Sequence, residues 1–197
     1  MSLRDVRHWV FDMDGTLTVA VHDFAAIREA LGIPPEDDIL THLAALPDAE
    51  SRAKHAWLLE HERDLAVAST AAVGAVELVR ELAGRGHRLG ILTRNARELA
   101  HITLQAIGIA DCFHPDDVLG REDAAPKPEP DGLLKLSTAW QVPPQYMVMV
   151  GDYQMDLLAG RAAGTRTVLV NLPDNPWPDL ADWHARDCGE LRGLIQG

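Results

Sequence analysis

Apolar residues along the chain fall into two rhythms. Short dense runs at 6–11, 88–92, 147–150 and 167–170 have the length and continuous hydrophobicity of strands buried on both faces. Between them lie segments with apolar positions three and four apart, at 72–82, 96–107, 131–140 and 155–163. That is the spacing of helices with one buried face. Gly84, Gly108 and Gly164 stand at or just past the ends of three of them, where a helix favours a residue that tolerates left-handed backbone. Residues 111–114 read as one more short strand.

A different texture follows the first strand. Residues 24–31 have helical spacing and stop at Gly32-Ile33-Pro34-Pro35. A second helix is expected over 39–46, halted by Pro47, and Asp48 is placed to cap a third running to about residue 68. No strand pattern occurs between 21 and 68. The expected fold is therefore α/β: a Rossmann-like, mainly parallel sheet with helices on both faces. A small all-helical insert, residues 19–69, follows the first strand and divides a core of 1–18 and 70–197. The tail from Pro173 is rich in Pro, Asp and Trp and ends in a weak helix near 191–195.

The chain's 197 residues suit one domain carrying such an insert. Eighteen basic against thirty acidic side chains give a formal charge of −12. Repulsion then disfavours nucleic acid and anionic membranes as partners. A small anionic substrate stays open, because a local Lys and a bound cation reverse the potential inside a cleft. Cys112 and Cys188 are far apart and in no metal-like spacing, so two free thiols in a reducing compartment are expected. No apolar run is long enough for a spanning helix, and none near the start suits a signal peptide. A cytoplasmic location is expected; monomer and homodimer both stay open.

The chemistry-bearing residues share one kind of position. Asp12 and Asp14, Thr93 and Asp152 each follow an apolar strand, and Lys127 precedes a helix. In open α/β sheets ligands bind beyond the carboxyl ends of the strands. Each residue has a plainer reading: Asp12 and Asp14 as turn residues, Thr93 as a helix cap, Lys127 as a surface lysine. Asp152 and Asp156 can be an N-cap and a first-turn carboxylate. Together, carboxylates, one Lys and one hydroxyl describe phosphoryl transfer. Carboxylates hold Mg²⁺, while Lys and Thr offset charge on the transferring group.

The sequence resembles the haloacid dehalogenase-like hydrolases, in their phosphoglycolate-phosphatase-like branch with a reduced helical cap. The resemblance rests on Phe11-Asp12-Met13-Asp14-Gly15-Thr16-Leu17-Thr18, on Thr93, on Lys127-Pro128 and on Gly151-Asp152-Tyr153-Gln154-Met155-Asp156, in that order. It implies a Mg²⁺-dependent phosphoric monoester hydrolase. Asp12 is then the nucleophile and a metal ligand. Asp14 is the general acid and then base, with its main-chain carbonyl on the metal. Thr93 and Lys127 bind phosphate, with Lys127 also pairing the nucleophile, Asp152 is a further metal ligand, and Asp156 serves the metal through water or positions Lys127. The family often has Asn directly after the Thr or Ser; here Arg94 intervenes before Asn95.

The insert offers His22, Arg28, His42, Arg52, His55 and Arg63, each of them better read as solvated surface. Trp57 is expected in the insert's own core. The substrate expected is a small phosphorylated metabolite. A phosphomutase acting on a sugar phosphate and a non-catalytic phosphate-binding regulator are the alternatives. A dehalogenase is disfavoured by Asp14, since halide needs no acid to leave.

Overall fold

The computed structural model describes residues 2–20 and 24–196. His22 of the insert lies outside the described residues. The strands are β1 (His8–Phe11), β2 (Arg88–Leu92), β3 (Val118–Leu119), β4 (Met147–Gly151), β5 (Arg166–Leu169) and β6 (Trp183–His184). They form one sheet in the order β3-β2-β1-β4-β5-β6, with every neighbouring pair parallel. The chain order reverses on either side of β1, so the crevice beyond β1 and β4 is the switch point of the sheet.

The helices are α1 (Phe24–Leu31), α2 (Ile39–Ala44), α3 (Asp48–Val67), α4 (Ala75–Gly84), α5 (Arg97–Ala106), α6 (Asp131–Trp140), α7 (Gln154–Ala163) and α8 (Cys188–Gln196). Side chains alternate across the sheet. Trp9 and Phe11 of β1 enter one apolar cluster with Leu78 and Leu82 of α4, Leu104 of α5 and Leu191 of α8. Val10 faces the opposite cluster, with Leu133 and Leu136 of α6 and Ala159 of α7. Both faces are thus covered, which explains why the strands read as continuous apolar runs rather than as alternating ones.

Several sequence expectations need correction. Residues 111–114 are not a strand. Ala110–Cys112 is a single 3-10 turn, and Phe113 is apolar because it plugs the core. The strand here is β3, pairing Val118 with Ile91 and Leu119 with Leu92. Nor is β5 the last strand: β6 pairs Trp183 with Val168 and His184 with Leu169. Two-residue strands are too short to show a period. Asp48 lies in the first turn of α3 and Pro47 takes the cap position. Finally, Trp57 is 42% exposed and stacks on His61 at 5.1 Å between ring centroids. Its neighbour Leu58 takes the inward position, and one residue of helix turns the next side chain roughly 100° away.

Between β1 and α4 the described residues contain only helices. Ile27, Leu31, Ile33, Ile39, Leu43 and Leu58 form a separate small core. The two connections to the sheet lie side by side: Thr18 bridges Ala71, the Val19 N–H donates to the Thr70 carbonyl, and the Ala72 N–H donates to the Leu17 carbonyl. Those last bonds hold residues 71–72 extended, so α4 begins at Ala75 rather than at 72. The far end of α3 rests on α5, with Ala66 against Ala96 and Leu99. Arg63 pairs with Glu98 at that contact, and Glu62 pairs with Arg121 of the loop after β3. Among the described residues, no helix is long and apolar enough to cross a membrane.

Candidate active site

The Asp12 N–H donates to the Val150 carbonyl at 2.9 Å. The chain thus stays tied to β4 as it leaves β1, which carries Asp12 into the crevice at the switch point. The loop then folds tightly, with the N–H groups of Thr16, Leu17 and Thr18 all donating to the Met13 carbonyl. Gly15 sits at φ +85°, and a Cβ there would overlap the Asp152 carboxylate. Glycine satisfies both demands at once. At the end of β4, Gly151 lies so close to Asp156 that it too has no room for a side chain.

Six predicted residues converge on one cavity of about 470 Å³: Asp12, Asp14, Thr93, Lys127, Asp152 and Asp156. Asp12 is 8% exposed and Lys127 7%. The Lys127 ammonium donates to Asp12 Oδ1 and to Asp156 Oδ1, each at 2.5 Å. The other oxygen of Asp156 accepts from the Tyr153 N–H at 3.1 Å, so both its oxygens have protein donors. Thr93 is buried; its N–H donates to the Leu119 carbonyl, and its hydroxyl accepts from the Asn95 N–H. The Lys127–Pro128 peptide is cis.

Three further residues join the site. Asn95 is brought in despite the intervening Arg94: its Nδ2 donates to Asp14 Oδ2 at 2.6 Å. The Thr16 hydroxyl donates to Asp152 Oδ1 at 2.7 Å. Asn171, which sequence reasoning missed, donates from Nδ2 to the carbonyls of Gly15 (2.7 Å) and Thr16 (2.9 Å). It holds φ +62°, a conformation that Asn tolerates better than most residues. The signal was available, because Asn171 is also a polar residue just beyond an apolar strand. By contrast Cys188, buried with its thiol toward the Thr16 carbonyl, is pushed up to about 12 by burial and by Asp187, so it stays a thiol.

Burial, and then the charge of Asp12, push Asp14 up to about 7. Asp156 also rises to about 7, chiefly through burial, although Lys127 opposes the shift. Asp152 is raised by burial and by Asp12. Burial alone would lower Lys127, but Asp12 and Asp156 outweigh it and the ammonium is held above its ordinary range. One lysine therefore faces more negative charge than it can offset. Oxygens of Asp12, Asp152 and Asp156 lie within 4.8 Å of one another. Hard carboxylate donors, crowded and short of positive charge, fit Mg²⁺.

A stability prediction follows for the metal-free protein. Asp14 and Asp156 have folded values above their unfolded ones, so they favour the folded state most when protonated. That contribution is complete below the unfolded carboxylate value of about 4 and is lost as pH rises to about 7. The melting temperature without divalent cation should fall across this window, and millimolar Mg²⁺ should restore it most at the upper end. A flat profile, or equal Mg²⁺ stabilisation at both ends, would contradict these shifts.

Comparisons with known proteins bear on the family and the fold. The family described as haloacid dehalogenase-like hydrolase matches residues 6–164. The chain is 34% identical to a haloacid dehalogenase-like hydrolase domain-containing protein of Arabidopsis thaliana (At2g33255), covering 88% of this chain and 74% of that one. It is 30% identical to the N-acetylmuramic acid 6-phosphate phosphatase of Pseudomonas putida, covering 99% and 97%. A crystal structure described as a predicted phosphoglycolate phosphatase from Haemophilus somnus superposes with a TM-score of 0.78 at 20% identity, covering 99% and 100%. That last likeness concerns the fold.

Proposed function

Since the chain belongs to the haloacid dehalogenase-like hydrolase family, we propose that it is a Mg²⁺-dependent phosphatase acting on a small phosphomonoester metabolite. The observation that carries this reading is Asp14. It stands two residues from Asp12, half-buried, hydrogen-bonded by Asn95 and raised to about 7. Such a carboxyl can give up a proton near neutral pH, which an alkoxide leaving group requires.

Asp12 attacks phosphorus, and the bond from phosphorus to the ester oxygen breaks. Asp14 gives its proton to that oxygen, the alcohol departs, and an aspartyl phosphate remains on Asp12. Asp14, now a carboxylate, takes a proton from water as the water oxygen attacks phosphorus. The bond to Asp12 breaks, freeing Asp12 and inorganic phosphate. Lys127 and Thr93 bind the phosphoryl oxygens through both steps. Asp12, Asp152 and the Asp14 carbonyl would hold Mg²⁺, which offsets negative charge on the nucleophile and the phosphoryl group. Asp156, whose oxygens accept from Lys127 and Tyr153, positions Lys127 and would serve the cation through water. Thr16 and Asn171 hold the loop that carries the two catalytic aspartates. The helical insert, residues 19–69, acts as the cap, supplying Ala20 to this cavity and much of the wall of the next.

The test is turnover of para-nitrophenyl phosphate and a panel of phosphorylated metabolites. Mg²⁺ should support it, EDTA should abolish it reversibly, and Ca²⁺ should inhibit, since Ca²⁺ prefers a larger and less regular oxygen shell. Undiminished turnover after exhaustive chelation would rule the mechanism out.

A further inference from the structure

A second cavity, of about 210 Å³, adjoins the first. Arg94 and Asn95 line both. Asn95 also binds Asp14, the residue assigned to protonate the leaving oxygen. The leaving group must therefore start at Asp14, and the second cavity opens directly beside that point. Ile27, Ile39 and Leu58 give this cavity an apolar side suited to a carbon skeleton.

Its charged side chains differ in how far they are already engaged. Arg121 is held by both carboxylate oxygens of Glu62, at 3.2–3.3 Å. Asp38 accepts from the N–H and the hydroxyl of Thr41, at 3.0 and 2.8 Å, which ties it to the start of α2. Arg28 donates from Nε to the Asp37 carbonyl at 3.1 Å. Arg94 differs from these three. Its side chain is 58% exposed, and its approach to Asp38 is 3.7 Å, beyond hydrogen-bond reach. Among the described residues no hydrogen bond fixes its guanidinium.

We propose that Arg94 is a specificity-determining residue that receives a carboxylate on the leaving group, so that the preferred substrates are phosphorylated hydroxy acids. The inference rests on the phosphatase reading above. A guanidinium presents a planar fork of donors that matches a carboxylate with two parallel bonds. Arg28, Arg94 and Arg121 against Asp38 and Glu62 leave this wall one positive charge in excess, which matches the single charge of a carboxylate. Asp38 acts as a placeholder: it attracts Arg94 weakly in the free protein and yields it to the substrate, since Thr41 already satisfies that carboxylate.

The experiment compares matched pairs that differ by one carboxylate: phosphoglycolate against ethyl phosphate, and phosphogluconate against sorbitol phosphate. In the wild-type protein the acid should win in at least one pair by about tenfold or more in kcat/KM, the scale of a charge-assisted hydrogen bond. Arg94→Ala should cut that ratio by about tenfold or more, mainly through KM. Arg94→Lys, which keeps the charge and loses the fork, should recover part of it. Asp38→Asn keeps an oxygen for the cap and removes the competing charge, so the ratio should rise. Two results overturn the inference alone: active wild-type protein with no acid preference in either pair, or an Arg94→Ala variant that loses acid and neutral substrates equally. Failure to hydrolyse any phosphomonoester would instead remove the phosphatase reading and this inference with it.

Discussion

Asp12→Asn should abolish turnover, by at least about 10³-fold in kcat, as losses of a nucleophile typically do. The amide is nearly isosteric with the carboxylate but does not displace an ester oxygen at phosphorus. The fold should survive. Lys127 keeps Asp156 at 2.5 Å, and removing the Asp12 charge relieves a repulsion that raises Asp14, Asp152 and Asp156 alike. Phosphatase assays of protein free of host enzymes, with circular dichroism alongside, provide the check. Acid-stable trapping of phosphate on the wild-type protein and not on the variant would place the covalent bond. Retention of more than a few per cent of activity would remove Asp12 from its role.

Asp14→Asn should separate the two halves of the reaction. Alkyl phosphates need a proton on the departing oxygen, so their turnover should fall by about 10²–10⁴-fold, the usual contribution of a general acid or base. Para-nitrophenolate leaves without one. With that substrate the variant should release a burst of product close to one equivalent of enzyme and then turn over slowly, because the base that activates water is also missing. The phosphorylated Asp12 accumulates in consequence. Rapid-mixing absorbance at the nitrophenolate band measures the burst. An equal loss on both substrates with no burst would give Asp14 a structural or metal-holding role instead.

How legible this was in the sequence varies by element. Phe24–Leu31, Arg88–Leu92 and Asp131–Trp140 occur with the bounds that periodicity and breakers predict. Those signals are local, because a helix or buried strand of this length shows its period in its own residues. Val118–Leu119 and Trp183–His184 carry no such signal. Each exists because a neighbouring strand offers unpaired backbone groups at its edge. Phe113 and Trp57 misled for a related reason: hydrophobicity says that a side chain favours burial, not which element buries it or whether space is left there.

The sequence by itself determined that strands and helices alternate, that a helical stretch interrupts them after the first strand, and that Asp12, Asp14, Thr93 and Asp152 stand at strand ends. Strand ends are local features, and in a parallel sheet the ends that follow each strand all point the same way. Only the tertiary structure decided how those residues meet. Lys127 lies 115 positions from Asp12 and 29 from Asp156; the family resemblance implied these partners, and folding supplies the distances at which one ammonium reaches both. Asn171 reaches back 156 positions to Gly15, and the approach of Arg94 to Asp38 links the loop after β2 to the start of α2. The perturbed carboxyl groups belong to the same class. Their shifts come from burial and from charges brought close by folding, and both depend on distances in space rather than on separation along the chain.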